Sequence, residues 1–84
     1  MPELFRFFGF TFFFYSREHE PVHVHVEGCG GKAIFDYDEN NDTFIIRERV
    51  NIKTNDMKRI KRVIEDNKDI ILKRWKEHFY GDNK

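Results

Sequence analysis

One cysteine, two prolines and one tryptophan in 84 residues close off several structural classes before any pattern is read. A lone Cys29 cannot form an internal bridge, so the chain is not a disulfide-stapled secreted scaffold and suits a reducing compartment, the cytoplasm being the expectation. No apolar run approaches the roughly 20 residues that a membrane-spanning helix needs. The apolar first fourteen residues lack a basic leader and a small-residue cleavage site, and so do not read as a secretory signal. Net charge is also missing, with 15 basic residues against 15 acidic, and no global field steers the molecule towards nucleic acid or an anionic membrane. Neither a glycine-rich phosphate loop nor a nucleophile elbow occurs.

What is present is aromatic. Ten Phe bring the aromatic fraction to 17%, and large rings bury much area per residue, which helps a chain near the size where cores become marginal. Hydrophobic residues at 39% supply one small core and exclude a collagen-like or disordered class. At roughly 100–200 residues per domain, residues 1–84 fit a single domain. The charge is not evenly spread: residues 1–52 carry five basic and nine acidic groups, and residues 53–84 carry ten and six.

Period-two patterning dominates the first half. Phe8 to Tyr15 reads as a strand with Phe10, Phe12 and Phe14 on one side and Thr11, Phe13 and Tyr15 on the other. Val22 to Glu27 alternates strictly, placing Val22, Val24 and Val26 towards the core and His23, His25 and Glu27 away from it. The run from Gly28 to Gly31 is turn chemistry, Lys32 to Tyr37 is a third strand, Asp38 to Asp42 a second turn, and Thr43 to Arg49 a fourth strand. Beyond Lys53 the period becomes helical, with Met57, Ile60 and Ile64, then Ile71, Trp75 and Phe79, on one stripe. Thr54 or Asn55 is the expected N-cap, Asn67 on the stripe predicts a bend or a second helix that it caps, and Gly81 closes the element. The expected fold is α+β: an antiparallel meander of about four strands, followed by a C-terminal helix or helix pair packed on one face.

Three of the four histidines fall between His19 and His25. Residues two apart on a strand share a face with α-carbons roughly 6.5–7 Å apart, so His23 and His25 can converge on one ligand. Such a pair suits three roles. With His19 or Glu27 as a third ligand it could hold a zinc-like transition metal. As general acid and base it could cleave a phosphodiester, with Arg17 or Lys32 stabilising developing charge. As polar residues on a solvent face it could simply occupy the outside of a strand, or form a binding surface together with His19, Pro21, Arg17 and Glu27. His78, in the last helical turn, complements the helix dipole.

The helical segment is basic, with Lys58, Arg59, Lys61, Arg62, Lys68, Lys73, Arg74 and Lys76, which allows RNA contact and is equally what a solvated helix face carries. Phe5, Phe7 and Phe8 precede the alternating strand and, if exposed, form a patch suited to a homodimer. Nothing near Cys29 supports a redox or metal role.

Met1-Pro2-Glu3-Leu4-Phe5-Arg6-Phe7-Phe8-Gly9, the segment from Glu18 to Val26 with its His19-Glu20-Pro21-Val22-His23-Val24-His25 core, and Asn67 to Trp75 resemble the small bacterial proteins grouped as the domain of unknown function 4160 family. Carried over, the family's characteristic positions are Pro2, Arg6, Phe7, Gly9, His19, Pro21, His23, His25 and Trp75. Val22 departs from a frequent second proline, and Val50 to Asp56 lacks the family's Leu-Pro-Arg approach to the helix. The resemblance implies a toxin–antitoxin-like gene pair and hence a small cognate protein partner. Two functions follow as expectations: an interaction module whose site is the histidine-lined strand face, or an RNA-cleaving toxin using His23 and His25 with His19 assisting.

Overall fold

The computed structural model describes residues 3–14 and 22–79. Five strands form one antiparallel sheet in sequence order: β1 (Glu3–Phe7), β2 (Phe10–Phe13), β3 (His23–Gly28), β4 (Gly31–Asp38) and β5 (Thr43–Val50). Two helices follow, α1 (Thr54–Asp66) and α2 (Lys68–Phe79). The α+β meander is as expected, with one strand more than the sequence reading gave.

The extra strand is β1, which precedes the strand read from Phe8 to Tyr15; Phe8 and Gly9 are the turn between them, β2 begins at Phe10, and Tyr15 lies outside the described residues. Phe8 and Gly9 both have positive φ, 33° and 85°, which is the backbone of a two-residue type I′ hairpin turn. Phenylalanine is an unusual occupant of that position, so the turn carries no familiar sequence signal. The β3–β4 hairpin turns the same way through Cys29 and Gly30, at φ 52° and 78°. The two turns lie side by side: a Cβ on Gly28 would sit 2.2 Å from the Gly9 carbonyl oxygen, so only glycine permits that approach.

One sheet face is apolar and covered by the helices. Phe10, Phe12, Phe14, Val24, Val26, Ala33, Phe35 and Phe44 pack with Met57, Ile60, Ile64, Ile71 and Trp75 in a single core. Each fully buried Phe contributes about 2–3 kcal/mol of apolar transfer, so Phe10, Phe12 and Phe14 anchor the sheet to the helices. Helix α1 buries Met57, Ile60 and Ile64 at the spacing read from the sequence. In α2, Ile71 and Trp75 are buried, and the side chain of Phe79 lies outside the described residues, as does Gly81.

The helix ends differ from expectation. The N-cap of α1 is Lys53 without a side-chain capping bond, not Thr54 or Asn55. The Thr54 hydroxyl accepts a hydrogen bond from Arg49 Nη2 (3.3 Å), which also donates to the Ile52 carbonyl (2.7 Å) and ties the end of β5 to the helix start. At Asn67 the helix does break into two. Its carbonyl accepts the bond from Ile71 N–H (3.0 Å) that starts α2, whereas its side-chain amide donates back to the Val63 carbonyl (2.8 Å) and closes α1. The side chain therefore caps the first helix and not the second. Beside this joint, Glu65 Oε2 accepts from the Thr43 hydroxyl (2.5 Å) and Phe44 N–H (3.2 Å), and Lys68 Nζ donates to the Asp42 carbonyl (2.7 Å), latching the β4–β5 turn onto the helix junction.

Candidate functional site

His23 and His25 stand on β3, on the side opposite Val24 and Val26, as alternation requires. They are not on a solvent face. His23 is 2% exposed and His25 7%, so between His23 and Val26 the strand is buried on both sides. Aromatic rings pack against both. Phe13, directly opposite His25 on β2, stacks on its imidazole at 5.4 Å with the rings 17° apart. Trp75 from α2 meets His23 edge-on at 5.5 Å and Phe14 at 5.0 Å. The β2–β3 register includes Phe13↔His25, and Trp75 meets His23, two residues before His25 on β3. The two imidazoles touch each other with centroids 5.1 Å apart. Among the described residues no buried side-chain nitrogen or oxygen lacks a hydrogen-bond partner.

Around this pair the sheet brings up two residues that the sequence reading did not select. Asp36 is the cross-strand partner of His23, and Arg47 on β5 grips its carboxylate in a two-pronged ion pair, Nε to Oδ2 at 3.0 Å and Nη2 to Oδ1 at 2.8 Å. Asp36 had a signal: a two-residue turn at Cys29-Gly30 fixes Gly28 opposite Gly31, and counting outward places His23 opposite Asp36. Arg47 had none, because a register shift in the β4–β5 pairing between Ile34 and Phe35 moves it out of simple alternation.

The other selected residues are placed as follows. Glu27 is exposed, opposite Lys32, and Lys32 pairs with Glu48 at 3.6 Å, so its charge is directed across the sheet and away from the histidines. Arg17, His19 and Pro21 lie outside the described residues, as does the side chain of His78. Among the described residues no three His, Cys, Asp or Glu side chains come together to hold a metal, so Glu27 does not complete a ligand set with the histidine pair. Away from the histidines, the Tyr37 hydroxyl donates to Asp42 Oδ1 (2.6 Å). That bond pushes the phenol up from 10.0 to about 12 and holds the Asp42 carboxyl below its ordinary range.

A family model described as domain of unknown function (DUF4160) matches residues 9–76. The chain belongs to this family. The match to DUF4160 takes in the whole sheet from β2 onward, both buried histidines and Trp75, and leaves β1 outside. Comparison with curated proteins and with solved structures returns no match. No described helix is long and apolar enough to cross a membrane.

Proposed function

We propose that this DUF4160 protein is an interaction module that binds a small cognate protein, in the manner of toxin–antitoxin partners encoded as a pair. The observation that carries the reading is the inequality of the two sheet faces. The helices cover one, and the histidine side bears exposed Ile45 and Val50 at 53% and 42%, flanking the Asp36–Arg47 pair. Exposed apolar side chains interleaved with ion pairs on an antiparallel face match the mixed composition of a protein contact surface. In this reading the buried imidazoles shape the face from beneath, and Arg17, His19 and Pro21 belong to it on sequence grounds, with Glu27 at its margin.

Ile45→Asp and Val50→Asp fall at exposed positions, and a thermal melt of the double variant checks that it is still folded. In titration calorimetry against the neighbouring gene's product, wild type binds at micromolar concentration and the double variant does not. Equal binding by both, or none by either, breaks the proposal. The RNA-cleaving alternative draws on the 5.1 Å imidazole pair, which has the composition of a general acid and base. It requires that expressing wild type, but not a His23→Ala, His25→Ala variant, degrades cellular RNA.

A further inference from the structure

Positive charge is concentrated where the net charge of zero hides it. Residues 53–62 hold Lys53, Lys58, Arg59, Lys61 and Arg62 against Asp56 alone, and all five basic residues are exposed. Their acidic surroundings are few. Asp56 lies 3.9 Å from Arg59 and Asp66 4.0 Å from Arg62, both loose surface pairs, with Arg59 and Arg62 side chains 62% and 83% exposed. Glu65, the next carboxylate on the helix, is turned to Thr43, Phe44 and Lys68. Residues 53–62 therefore present a net positive charge, to which the positive end of the helix dipole adds.

Beside that surface stands an aromatic tip. Phe8 is 46% exposed and Phe7 40%, with ring centroids 6.2 Å apart, and the Arg59 guanidinium lies over the Phe8 ring at 5.8 Å. Phe8 holds φ 33°, a left-handed conformation that strains a bulky L-residue and that glycine or asparagine adopts readily. A large ring thus occupies, at a local energetic loss, a turn position where a small residue would relieve strain, and it stands half-exposed against Phe7 and Phe10 beside a row of cations.

We propose that single-stranded nucleic acid binds here, its phosphates along Lys58, Arg59 and Arg62 and a base stacked on Phe8. Exposed ring faces accept any unpaired base, and a basic track beside them follows the backbone; the combination is how sequence-tolerant single-strand binders work. A duplex keeps its bases stacked on each other and offers only its phosphates. This surface is separate from the histidine face and its proposed protein partner, since α1 covers the opposite side of the sheet.

The test is fluorescence anisotropy of a short fluorescein-labelled oligouridylate titrated with untagged protein, with thermal melts of every variant. Wild type binds saturably, with affinity falling as salt rises, and Phe8→Asn weakens binding by about tenfold or more while melting at the same or a higher temperature. Lys58→Glu with Arg62→Glu abolishes binding, whereas Ile45→Asp with Val50→Asp leaves it unchanged. The proposal is overturned by absence of binding, by equal affinity of Phe8→Asn, by equal affinity for a duplex of the same length, or by equally effective displacement with polyglutamate.

Discussion

The two faces of the sheet are both buried at β3, by different means. Under the helices, Val24 and Val26 sit among Phe10, Phe12, Phe14 and Phe35 with no polar group between them. On the opposite side, Phe13 and the two histidines are as fully buried, yet Asp36 and Arg47 pair beside them and Lys32 and Glu48 pair further along. Apolar burial is non-directional and supplies stability, whereas a buried imidazole must have its ring nitrogens matched, so the second face is specified by geometry more than by area. One strand of alternating Val and His therefore serves two cores of different character, and Trp75 belongs to both.

Trp75→Ala tests that shared role and has the largest expected effect. It removes the contacts to Phe14 and His23 at once, and chemical denaturation should show a loss of about 3–5 kcal/mol. Next comes His23→Ala with His25→Ala, expected to lower stability by about 2–3 kcal/mol through lost ring stacking and cavity formation. A change below about 0.5 kcal/mol would mean that the histidine side behaves as an ordinary solvent face. Arg47→Ala should do less, under about 1 kcal/mol, because its side chain is 46% exposed and that of Asp36 27%.

The smallest effect is a pH dependence at the edge of the helix-side core, where the Tyr37 ring packs on Phe44. The Tyr37 phenol, at about 12 in the folded chain, holds its proton more tightly than an unfolded tyrosine, so its contribution is complete below pH 10 and disappears between pH 10 and 12. The lowered Asp42 carboxyl acts in the opposite direction: its contribution is present above the ordinary 3.8 and fades as the pH falls through the folded value. Tyr37→Phe should flatten the alkaline limb of a stability profile, and a phenolate absorbance difference titration, wild type minus Tyr37→Phe, centred at 10 would contradict the hydrogen bond.

Hydrophobic periodicity made most of the fold legible. The Val22–Val24–Val26 alternation, the Gly28–Gly31 reversal and the Met57–Ile60–Ile64 stripe each name an element that the structure contains. What escaped was information that one strand does not hold about its neighbours. Phe8-Gly9 hid a hairpin because its turn residue is aromatic, and the N-cap falls at Lys53 while the Thr54 hydroxyl accepts from Arg49, five residues earlier. The histidine pair was found, but its surroundings were not. Alternation says which side of a strand a residue takes, and says nothing of whether Phe13 and Trp75 will close that side.

The strand order has a kinetic meaning. Because each strand bonds only to its neighbours in sequence, the sheet can zip from any hairpin without closing a long loop, and low contact order of this kind belongs to fast folders. The apolar face is different, since Phe10, Phe12 and Phe14 find Ile60, Ile64, Ile71 and Trp75 only across some fifty residues of chain. A sheet assembled ahead of its helices would display a row of bare phenyl rings to its neighbours. The interval between zipping and helix docking is thus the moment when this molecule is most open to aggregation.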